Sequence, residues 1–435
     1  MGPSEVWKEN VSGRIPLKQL VIVNALTLAV LSTLLLIAAH PAQAQTETVL
    51  YNFCSQPNCS DGGNPNSNLT PDGAGNYYGM TEAGGAGALY NQWGTVFEIS
   101  PNGSGGWNET VLYSFTNGTQ APCAPSASCP SGISTLVFDS VGNLYGIAWD
   151  QQNGYPTNAI LFELSPVGGS WVETTAFTFT GSDSIGATGG LVMDASGNIY
   201  GTNGTKYINN ASTSKHSGSI FELSPSGSGW TEQVLYTRSN VRNGITSMGP
   251  TMDAAGNIYA VIASEVVKLS PNGDGWTSTM IHGISGWVGE TSPPVVDNAG
   301  NIYGTFASAT AKSCSQGGCG RVYKLIPGAA NWTYEVIHTF GSTSDGIYPQ
   351  GNLVLDAAGN IYGATQSGGE YDDGTVFKLV HSKTWKYTEQ ILCSFNGTDG
   401  GYSVGGLTMD SEGNLYGTTL GGGSSNMGVA FEVTP

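Results

Sequence analysis

The sequence is poor in charged residues, and positive charge is the scarcer sign. Lys and Arg number 14 in 435 residues, against 32 Asp and Glu, so the formal net charge is −18 at pH 7. A surface of this sign repels the phosphates of nucleic acids and the headgroups of anionic lipids. We therefore expect no nucleic-acid partner, and contact with a membrane only if an N-terminal segment is retained as an anchor.

Amphipathic helical periodicity is absent after residue 45, which excludes helical bundles and α-solenoids. Histidines number only five. The sequence shows no Ser-His-Asp arrangement, phosphate-binding loop or strong metal-ligand spacing. These absences argue against an enzyme without excluding one, because a pair of loop carboxylates can act as the acid and base of a glycosidase.

One long hydrophobic run interrupts the sequence, at residues 20–39. Arg14 and Lys18 precede it, and a site with small residues that ends at Ala44 follows it. This is the pattern of a secretory signal. The run is also long enough to span a bilayer, so a retained signal anchor is the alternative. We predict a signal peptide or anchor at residues 1–44 and export of the protein, whether by secretion, to the periplasm or to the cell surface.

Glycine, by contrast, is abundant, with 64 residues, and it recurs in a repeated motif. An Asp, two further residues and then Gly-Asn-hydrophobic-Tyr occur at Asp72–Tyr78, Asp139–Tyr145, Asp194–Tyr200, Asp253–Tyr259, Asp297–Tyr303, Asp356–Tyr362 and Asp410–Tyr416. The Asn residues of consecutive motifs are 44 to 67 positions apart. A period in this range is typical of repeat arrays and propellers. Asp, Asn and Gly are turn residues, so each motif predicts a turn between two strands.

Each repeat contains four β-type segments, which is the blade of a propeller. The last repeat ends after its third strand, yet residues 47–53 match the fourth strand at residues 109–115. The N-terminal segment should therefore complete the last blade and close the ring, which removes exposed sheet edges. The sequence predicts an all-β fold, a seven-bladed β-propeller of four-stranded antiparallel blades, as a single domain over residues 45–435. We expect it to be a monomer.

Cysteine is the next feature, with seven residues. Six of them form close pairs, which predicts local disulfides and an oxidising compartment: Cys54 with Cys59, Cys123 with Cys129, and Cys314 with Cys319. Metal sites are the alternative, but no adjacent His would complete them.

Cys393 occupies a fourth-strand position that the other repeats fill with Tyr51, Tyr113, Phe177, Tyr236, His282 and His338. We expect Cys393 to be a buried small hydrophobe. His282 and His338 are interpreted as packing residues of this position, in preference to catalytic or metal-binding residues. The third strands align Glu98, Glu163, Glu222 and Glu432 with Lys268, Lys324 and Lys378, and these are interpreted as polar contacts between blades.

Three of the repeated segments resemble a known repeat: Gly413–Thr419, Gly94–Glu98 and Val111–Phe115. Together they are similar to the GloVer repeat of bacterial exported proteins called choice-of-anchor tandem repeat GloVer-containing proteins. The resemblance implies an exported protein. Some members carry a C-terminal surface anchor, which we do not expect here because the sequence ends inside the last repeat. The resemblance implies no catalytic residues.

A propeller of this kind has two different faces. The turns between strands one and two and between strands three and four barely vary, and we call their side the constant-turn face. The loops between strands two and three and between blades vary in length, and we call their side the variable-loop face. Binding usually lies on such varied loops. We predict that this face binds a glycan or a protein, with candidate ligand-binding residues Trp93, Trp149, Trp287, Tyr348, Tyr371 and Tyr402.

The same loops contain an acidic cluster of Glu370, Asp372 and Asp373. Hard cations such as Ca²⁺ take several carboxylate oxygens, so these residues are weak candidates for a calcium site, although the spacing is not that of a dedicated calcium loop. No other cofactor is expected. The alternative function is a propeller hydrolase or lyase, lactonase-like or glycosidase-like, that uses loop carboxylates or a divalent metal at the mouth of the central channel.

Overall fold

The computed structural model describes residues 46–86, 93–116, 119–120, 135–152, 155–180, 190–203, 216–227, 229–241, 249–262, 265–273, 275–284, 292–307, 319–341, 343–382, 386–403 and 405–435. Within this part of the chain the regular structure is β-strand, with two short 3₁₀ turns at Pro57–Cys59 and Thr343–Asp345. The described residues include no helix long and apolar enough to cross a membrane. The predicted signal segment lies outside the described residues.

The strands are numbered in chain order, and each group of them belongs to one sheet. They are β1 (Thr46–Asn52), β2 (Gly63–Pro65), β3 (Thr70–Pro71), β4 (Tyr77–Ala83), β5 (Thr95–Pro101), β6 (Trp107–Ser114), β7 (Thr119–Gln120), β8 (Val137–Phe138), β9 (Leu144–Gln152), β10 (Tyr155–Val167), β11 (Ser170–Thr178), β12 (Val192–Met193), β13 (Ile199–Asn203), β14 (His216–Ser226), β15 (Gly229–Val241), β16 (Thr251–Met252), β17 (Ile258–Ile262), β18 (Glu265–Asn272), β19 (Gly275–Gly283), β20 (Val295–Val296), β21 (Ile302–Phe306), β22 (Arg321–Ile326), β23 (Thr333–Thr339), β24 (Ile347–Leu355), β25 (Ile361–Ser367), β26 (Thr375–His381), β27 (Tyr387–Ser394), β28 (Thr408–Met409), β29 (Leu415–Thr419) and β30 (Val429–Thr434).

These strands form seven antiparallel sheets, the blades of a propeller, and the prediction of seven blades is confirmed. Blade 1 contains β2 to β6, blade 2 contains β7 to β11, and blades 3 to 6 each contain the next four strands. Blade 7 consists of β28, β29, β30 and β1. In blades 1 and 2 the first strand is divided into two short pieces, β2 with β3 and β7 with β8.

The N-terminal strand closes the ring, as predicted. Strand β1 pairs antiparallel with β30, from Thr46 opposite Thr434 to Asn52 opposite Val429. The two ends of the described chain therefore complete one blade. This pairing gives β30 a neighbour on its outer side and leaves the ring without a break between blades 7 and 1.

The repeated motif forms the turn between the first two strands of each blade. In blade 3, Asp194 Oδ1 accepts the backbone N–H groups of Ser196 at 2.8 Å and Asn198 at 2.9 Å. Its Oδ2 accepts Asn198 Nδ2 at 2.8 Å and the hydroxyl of Tyr200 at 3.0 Å. The Asp carboxylates of the other six motifs accept the equivalent set of bonds. One carboxylate therefore organises each turn, which explains why the motif recurs.

Aromatic side chains hold neighbouring blades together. Phe115, at the end of the fourth strand of blade 1, packs against Phe162 of the third strand of blade 2, with ring centroids 5.5 Å apart. Phe179 repeats this contact with Phe221 of blade 3 at 5.1 Å. All four rings are fully buried. The hydrophobic core is thus a series of clusters, each shared by two blades, because both faces of a blade must be covered.

The charged residues of the third strands lie opposite a Tyr of their own blade, in addition to the predicted contacts between blades, of which the interaction of Glu432 with Tyr77 is an example. Each of them faces the motif Tyr on the second strand of the same sheet. Glu222 lies opposite Tyr200 and accepts its hydroxyl at 3.2 Å. Lys268 lies opposite Tyr259, with its Nζ 5.4 Å from the ring centroid. An acid or a base fits the same position, because a Tyr offers a hydroxyl donor and a ring that attracts cations.

Candidate functional site

The loops of the variable-loop face form one connected layer across blades 6, 7 and 1. The backbone N–H of Tyr402, between blades 6 and 7, donates to the carbonyl of Asp373 at 2.8 Å. The N–H of Leu420 donates in turn to the carbonyl of Tyr402 at 3.2 Å. On the next connection Asn64 donates to Met427 at 2.6 Å. Backbone hydrogen bonds therefore fix these loops on the sheets below them.

Three residues occupy the same place in successive connections between blades. Tyr348, Tyr402 and Asn64 all have positive φ angles, of 58°, 57° and 53°. Each donates its backbone N–H to the loop that precedes the third strand of the previous blade. The acceptors are the carbonyls of Cys319, Asp373 and Met427. Asn adopts this left-handed conformation readily, whereas a bulky residue does so at a cost. The fold therefore accepts Asn here and does not itself require Tyr.

Two of the predicted ligand-binding aromatics are well exposed. The side chain of Tyr371 is 55% exposed and that of Tyr402 is 47% exposed. The hydrogen bond from Tyr402 to Asp373 brings their two loops together, since Asp373 is two residues from Tyr371. Tyr348 is half-buried. Exposed aromatic rings on a fixed backbone can stack against a ligand without a large loss of conformational entropy.

The predicted tryptophans differ from these tyrosines. Trp149 lies in β9 and not in a loop, because the hairpin of β9 and β10 extends past it. It is only 9% exposed and belongs to the cluster that contains Phe179. Trp93 is half-buried and packs against the cluster between blades 1 and 2. Trp287 lies outside the described residues. Among the predicted aromatics that the structure describes, Tyr371 and Tyr402 are therefore the two that are well exposed.

One carboxylate of the acidic cluster bonds the backbone of its own loop. Asp372 accepts the backbone N–H of Gly368 at 3.1 Å. Burial, followed by the charges of Asp372 and Asp399, raises the pKa of Asp373. Asp399 accepts the N–H of Asn396 at 2.8 Å. The carboxylates of Glu370, Asp372 and Asp373 are not among the described side chains that bring three ligand atoms together.

One described group of three metal-type ligands does converge, elsewhere on the ring: His338, Asp345 and Glu389, with ligand atoms within 4.8 Å of one another. Packing accounts for His282, which stacks on Tyr334 with ring centroids 4.7 Å apart. His338 has acidic neighbours as well as an aromatic one. A comparison of the repeats could have found this group, because a Glu recurs four residues before the variable fourth-strand position.

The cysteines agree with the predicted staples wherever they are described. Cys54 is bonded to Cys59, and Cys319 is disulfide-bonded. Cys314 and the pair Cys123 and Cys129 lie outside the described residues. Cys393 is buried, as expected, but its thiol also donates to Glu47 at 3.1 Å. Disulfides of this kind indicate a compartment outside the reducing cytoplasm.

The constant-turn face carries a depression between blades 2 and 3. Asp139, Tyr145, Asp194 and Trp230 line it. Both carboxylates already accept the bonds of their turns, and Trp230 packs against Tyr145 with ring centroids 5.6 Å apart. These side chains are therefore engaged in structure, and no sequence motif predicts a site here.

Comparison with known proteins agrees with the resemblance that the motifs indicate. Residues 263–435 match the Gloeobacter/Verrucomicrobia repeat. The turn of Asp194 in blade 3, before the matched part, has the same hydrogen bonds as the turn of Asp356 within it. No curated protein matches the sequence.

Solved structures are similar to this chain in fold, at low sequence identity. An aldose sugar dehydrogenase from Streptomyces coelicolor in its PQQ-bound form is 12% identical with a TM-score of 0.45, over 91% of this chain and 100% of that one. A protein assigned as a 6-phosphogluconolactonase from Bacteroides uniformis is 15% identical with a TM-score of 0.44, over 75% and 87%. A variant of the NanB sialidase from Streptococcus pneumoniae is 10% identical with a TM-score of 0.43, over 89% and 70%. At this distance the likeness concerns the fold alone.

Proposed function

We propose that this chain is an exported, non-catalytic propeller that binds a glycan on its variable-loop face, at Tyr371 and Tyr402. The observation that carries the proposal is the backbone of Tyr402, which has a φ of 57° and yet presents a side chain that is 47% exposed. A bulky residue in this conformation costs on the order of 1–3 kcal/mol. An exposed ring held at such a cost, where Asn fits the fold, is best explained by contact with a ligand.

The chemistry of the surroundings favours a neutral sugar. Aromatic faces pack against the apolar face of a sugar ring, and nearby carboxylates accept its hydroxyl groups. Asp373 supplies such a carboxylate beside Gly397 and Gly401, in a stretch where side chains are small. The net charge of −18 disfavours anionic ligands. The proposal therefore specifies an uncharged glycan, and a protein ligand is the other outcome of the test.

The test uses the purified protein on an array of glycans, followed by titration of the strongest ligand. Tyr402→Asn is the sharpest variant, because Asn occupies the equivalent backbone position at Asn64. We expect this variant and Tyr371→Ser each to weaken binding about tenfold or more, the loss of roughly 1.4 kcal/mol of stacking. Tyr402→Asn should fold at least as stably as the wild type.

The control is Val141→Ser, which changes a 78% exposed side chain on the constant-turn face. It should bind as the wild type does. If both tyrosine variants bind the glycan as the wild type does, the binding site does not include Tyr371 and Tyr402. Binding to no glycan, together with capture of one defined protein that Tyr402→Asn abolishes, would replace the glycan with a protein ligand. Cleavage of a bound glycan by the wild type would contradict the non-catalytic assignment.

A further inference from the structure

The outer strands of blades 5 and 6 bring three potential metal ligands together. His338 lies near the end of β23, Asp345 in the 3₁₀ turn Thr343–Asp345 that follows, and Glu389 on β27 of the next blade. Their ligand atoms lie within 4.8 Å of one another, and Nε2 of His338 is 3.5 Å from Oε1 of Glu389. The His and Glu side chains are 17% and 14% exposed, so the group is largely removed from water.

The same arrangement occurs at two other junctions, with a different first residue. Between blades 7 and 1 the hydroxyl of Tyr51 donates to Oδ2 of Asp61 at 2.8 Å, and Glu109 lies in the position of Glu389. Between blades 6 and 7 the three residues are Cys393, Asp399 and Glu47, and the thiol donates to Oε2 of Glu47 at 3.1 Å. In both groups a proton donor on the first residue bonds one carboxylate oxygen, while Glu47 Oε1, Asp61 Oδ1 and Glu109 Oε1 are buried without a hydrogen-bond partner among the described residues.

At the junction of blades 5 and 6 the first residue is His338, which faces Glu389 as an ion pair at 3.5 Å, and among the described residues no hydrogen bond joins the two. Nε2 of His338 and Oε1 of Glu389 are both buried, and neither has a hydrogen-bond partner among the described residues. Buried polar atoms normally have a partner, and leaving them unpaired is costly. An ion between the two atoms would satisfy both at once.

We propose that His338, Asp345 and Glu389 bind a divalent transition-metal ion, Zn²⁺ first among them, between blades 5 and 6. Zinc binds His nitrogen and carboxylate oxygen at about 2.0–2.2 Å in a tetrahedron, so two of its ligand atoms lie roughly 3.3–3.6 Å apart. The observed 3.5 Å between Nε2 and Oε1 fits this separation. Three protein ligands leave the fourth position for water.

The ligand set also discriminates between ions. Ca²⁺ takes six to eight oxygen ligands, whereas this group offers one imidazole and two carboxylates. Imidazole suits zinc and its neighbours in the periodic table. The backbone N–H of Gly341 donates to Oδ2 of Asp345 at 3.2 Å, which orients this carboxylate from behind. The ion would join the outer strands of consecutive blades and so stabilise the ring at this junction.

The test begins with protein that carries no affinity tag rich in His and has been treated with chelator. Titration with ZnCl₂ in a calorimeter should give one site per chain, and Zn²⁺ at a hundredfold excess over its Kd should raise Tm by about 3 °C. His338→Tyr, which reproduces the residue at Tyr51, and Glu389→Gln should lose the site. The matched control is Glu109→Gln, at the equivalent position of the Tyr51 junction, and it should bind Zn²⁺ as the wild type does.

X-ray absorption of the zinc-loaded wild type tests the ligands without any variant. It should show one imidazole among oxygen ligands, and this measurement decides the matter if the variants fail to fold. No saturable site for Zn²⁺, a site retained in His338→Tyr, or a spectrum with no imidazole would each overturn the proposal. A saturable site for CaCl₂ that resists competition by Zn²⁺ would also overturn it.

Discussion

Gly201 on β13 faces Phe221 on β14, and a Cβ atom built on this glycine would overlap Cζ of the ring. The second strand of five other blades has the same glycine below an aromatic ring, as at Gly79, Gly146, Gly304, Gly363 and Gly417. Blade 4 is the exception, with Ala260 opposite Val267. The second-strand residue and the third-strand residue opposite it thus vary together within one chain. A larger residue on the second strand is accompanied by a smaller one on the third, because the volume that the two side chains share is fixed.

This relationship predicts the effect of a methyl group. Gly201→Ala should destabilise the protein by about 1–3 kcal/mol through overpacking. Phe221→Val should also destabilise it, through the cavity that it leaves. The double variant, which reproduces the Ala260 and Val267 pair, should cost less than the sum of the two. Urea unfolding of the four proteins measures this coupling, and strict additivity would contradict the packing argument.

The fold was predictable from the sequence because the repeat is marked by residues with one local role each. Asp194 makes the same turn bonds as its six counterparts, so one motif located all of the blades. Closure was predictable because residues 47–53 repeat the sequence of an internal fourth strand. Both inferences need only local chemistry and counting.

The site was less predictable, because its features depend on the third dimension. Trp149 resembles a loop residue until the length of the β9 and β10 hairpin is known. The left-handed backbone of Tyr402 could not be predicted, because Gly is the residue that usually indicates this conformation in a sequence and position 402 is a Tyr. His338 and Glu389 are distant in the chain and become neighbours only through the packing of blades 5 and 6.

The pH dependence of stability should carry a signature of Glu109. Burial, with a further contribution from the charge of Asp61, raises the pKa of Glu109 to about 8 from an ordinary value of 4.5. A carboxyl whose pKa is raised on folding contributes stability that is fully present below the unfolded pKa and is lost as the pH rises through the folded pKa. Stability should therefore fall between pH 4.5 and pH 8 because of this group.

Glu109→Gln, which mimics the protonated carboxyl, should remove this loss. Its Tm should equal that of the wild type at about pH 4.5 and should exceed that of the wild type at about pH 8.5. These two pH values lie on either side of the range over which the pKa of Glu109 is raised. Glu412→Gln removes the same charge from an exposed turn and serves as the control. A difference between Glu109→Gln and the wild type that stays constant with pH would show that the carboxyl is ionised throughout.

The disulfide of Cys54 and Cys59 should stabilise the junction of blades 7 and 1. The carbonyl of Cys54 accepts the hydroxyl of Ser425 at 2.9 Å, and the carbonyl of Cys59 accepts the N–H of Gly85 at 2.9 Å. Both partners belong to loops of the variable-loop face. Replacement of both cysteines by serine should cost about 2 kcal/mol, the closure entropy of so short a loop.

The measurement is Tm of the wild type and of the double serine variant, each with and without reductant. The reductant should lower the Tm of the wild type more than it lowers the Tm of the variant. The variant should still respond, because Cys319 is also disulfide-bonded. An equal response of the two proteins would mean that the Cys54 bond does not contribute to stability.

Closure of the ring should depend on Leu50 more than on any exposed residue of β1. Leu50 is 7% exposed and belongs to a cluster that joins blade 7, through Tyr416 and Ala430, to blade 1, through Tyr77. Leu50→Asp places an unpaired charge in this cluster, which is costly. We expect β1 to detach from β30, whose unpaired edge then recruits a second chain.

Size-exclusion chromatography should therefore show Leu50→Asp in larger species than the wild type at the same concentration, and Tm should fall by several degrees, as for a loss of a few kcal/mol. Thr46→Asp is the control, because Thr46 lies on the same strand, is exposed and lies opposite the uncharged Thr434 of β30. It should elute as the wild type does. If Leu50→Asp elutes as the wild type does and its Tm is unchanged, hydrogen bonds alone hold the ring closed, and the packing of Leu50 against blade 1 contributes nothing to closure.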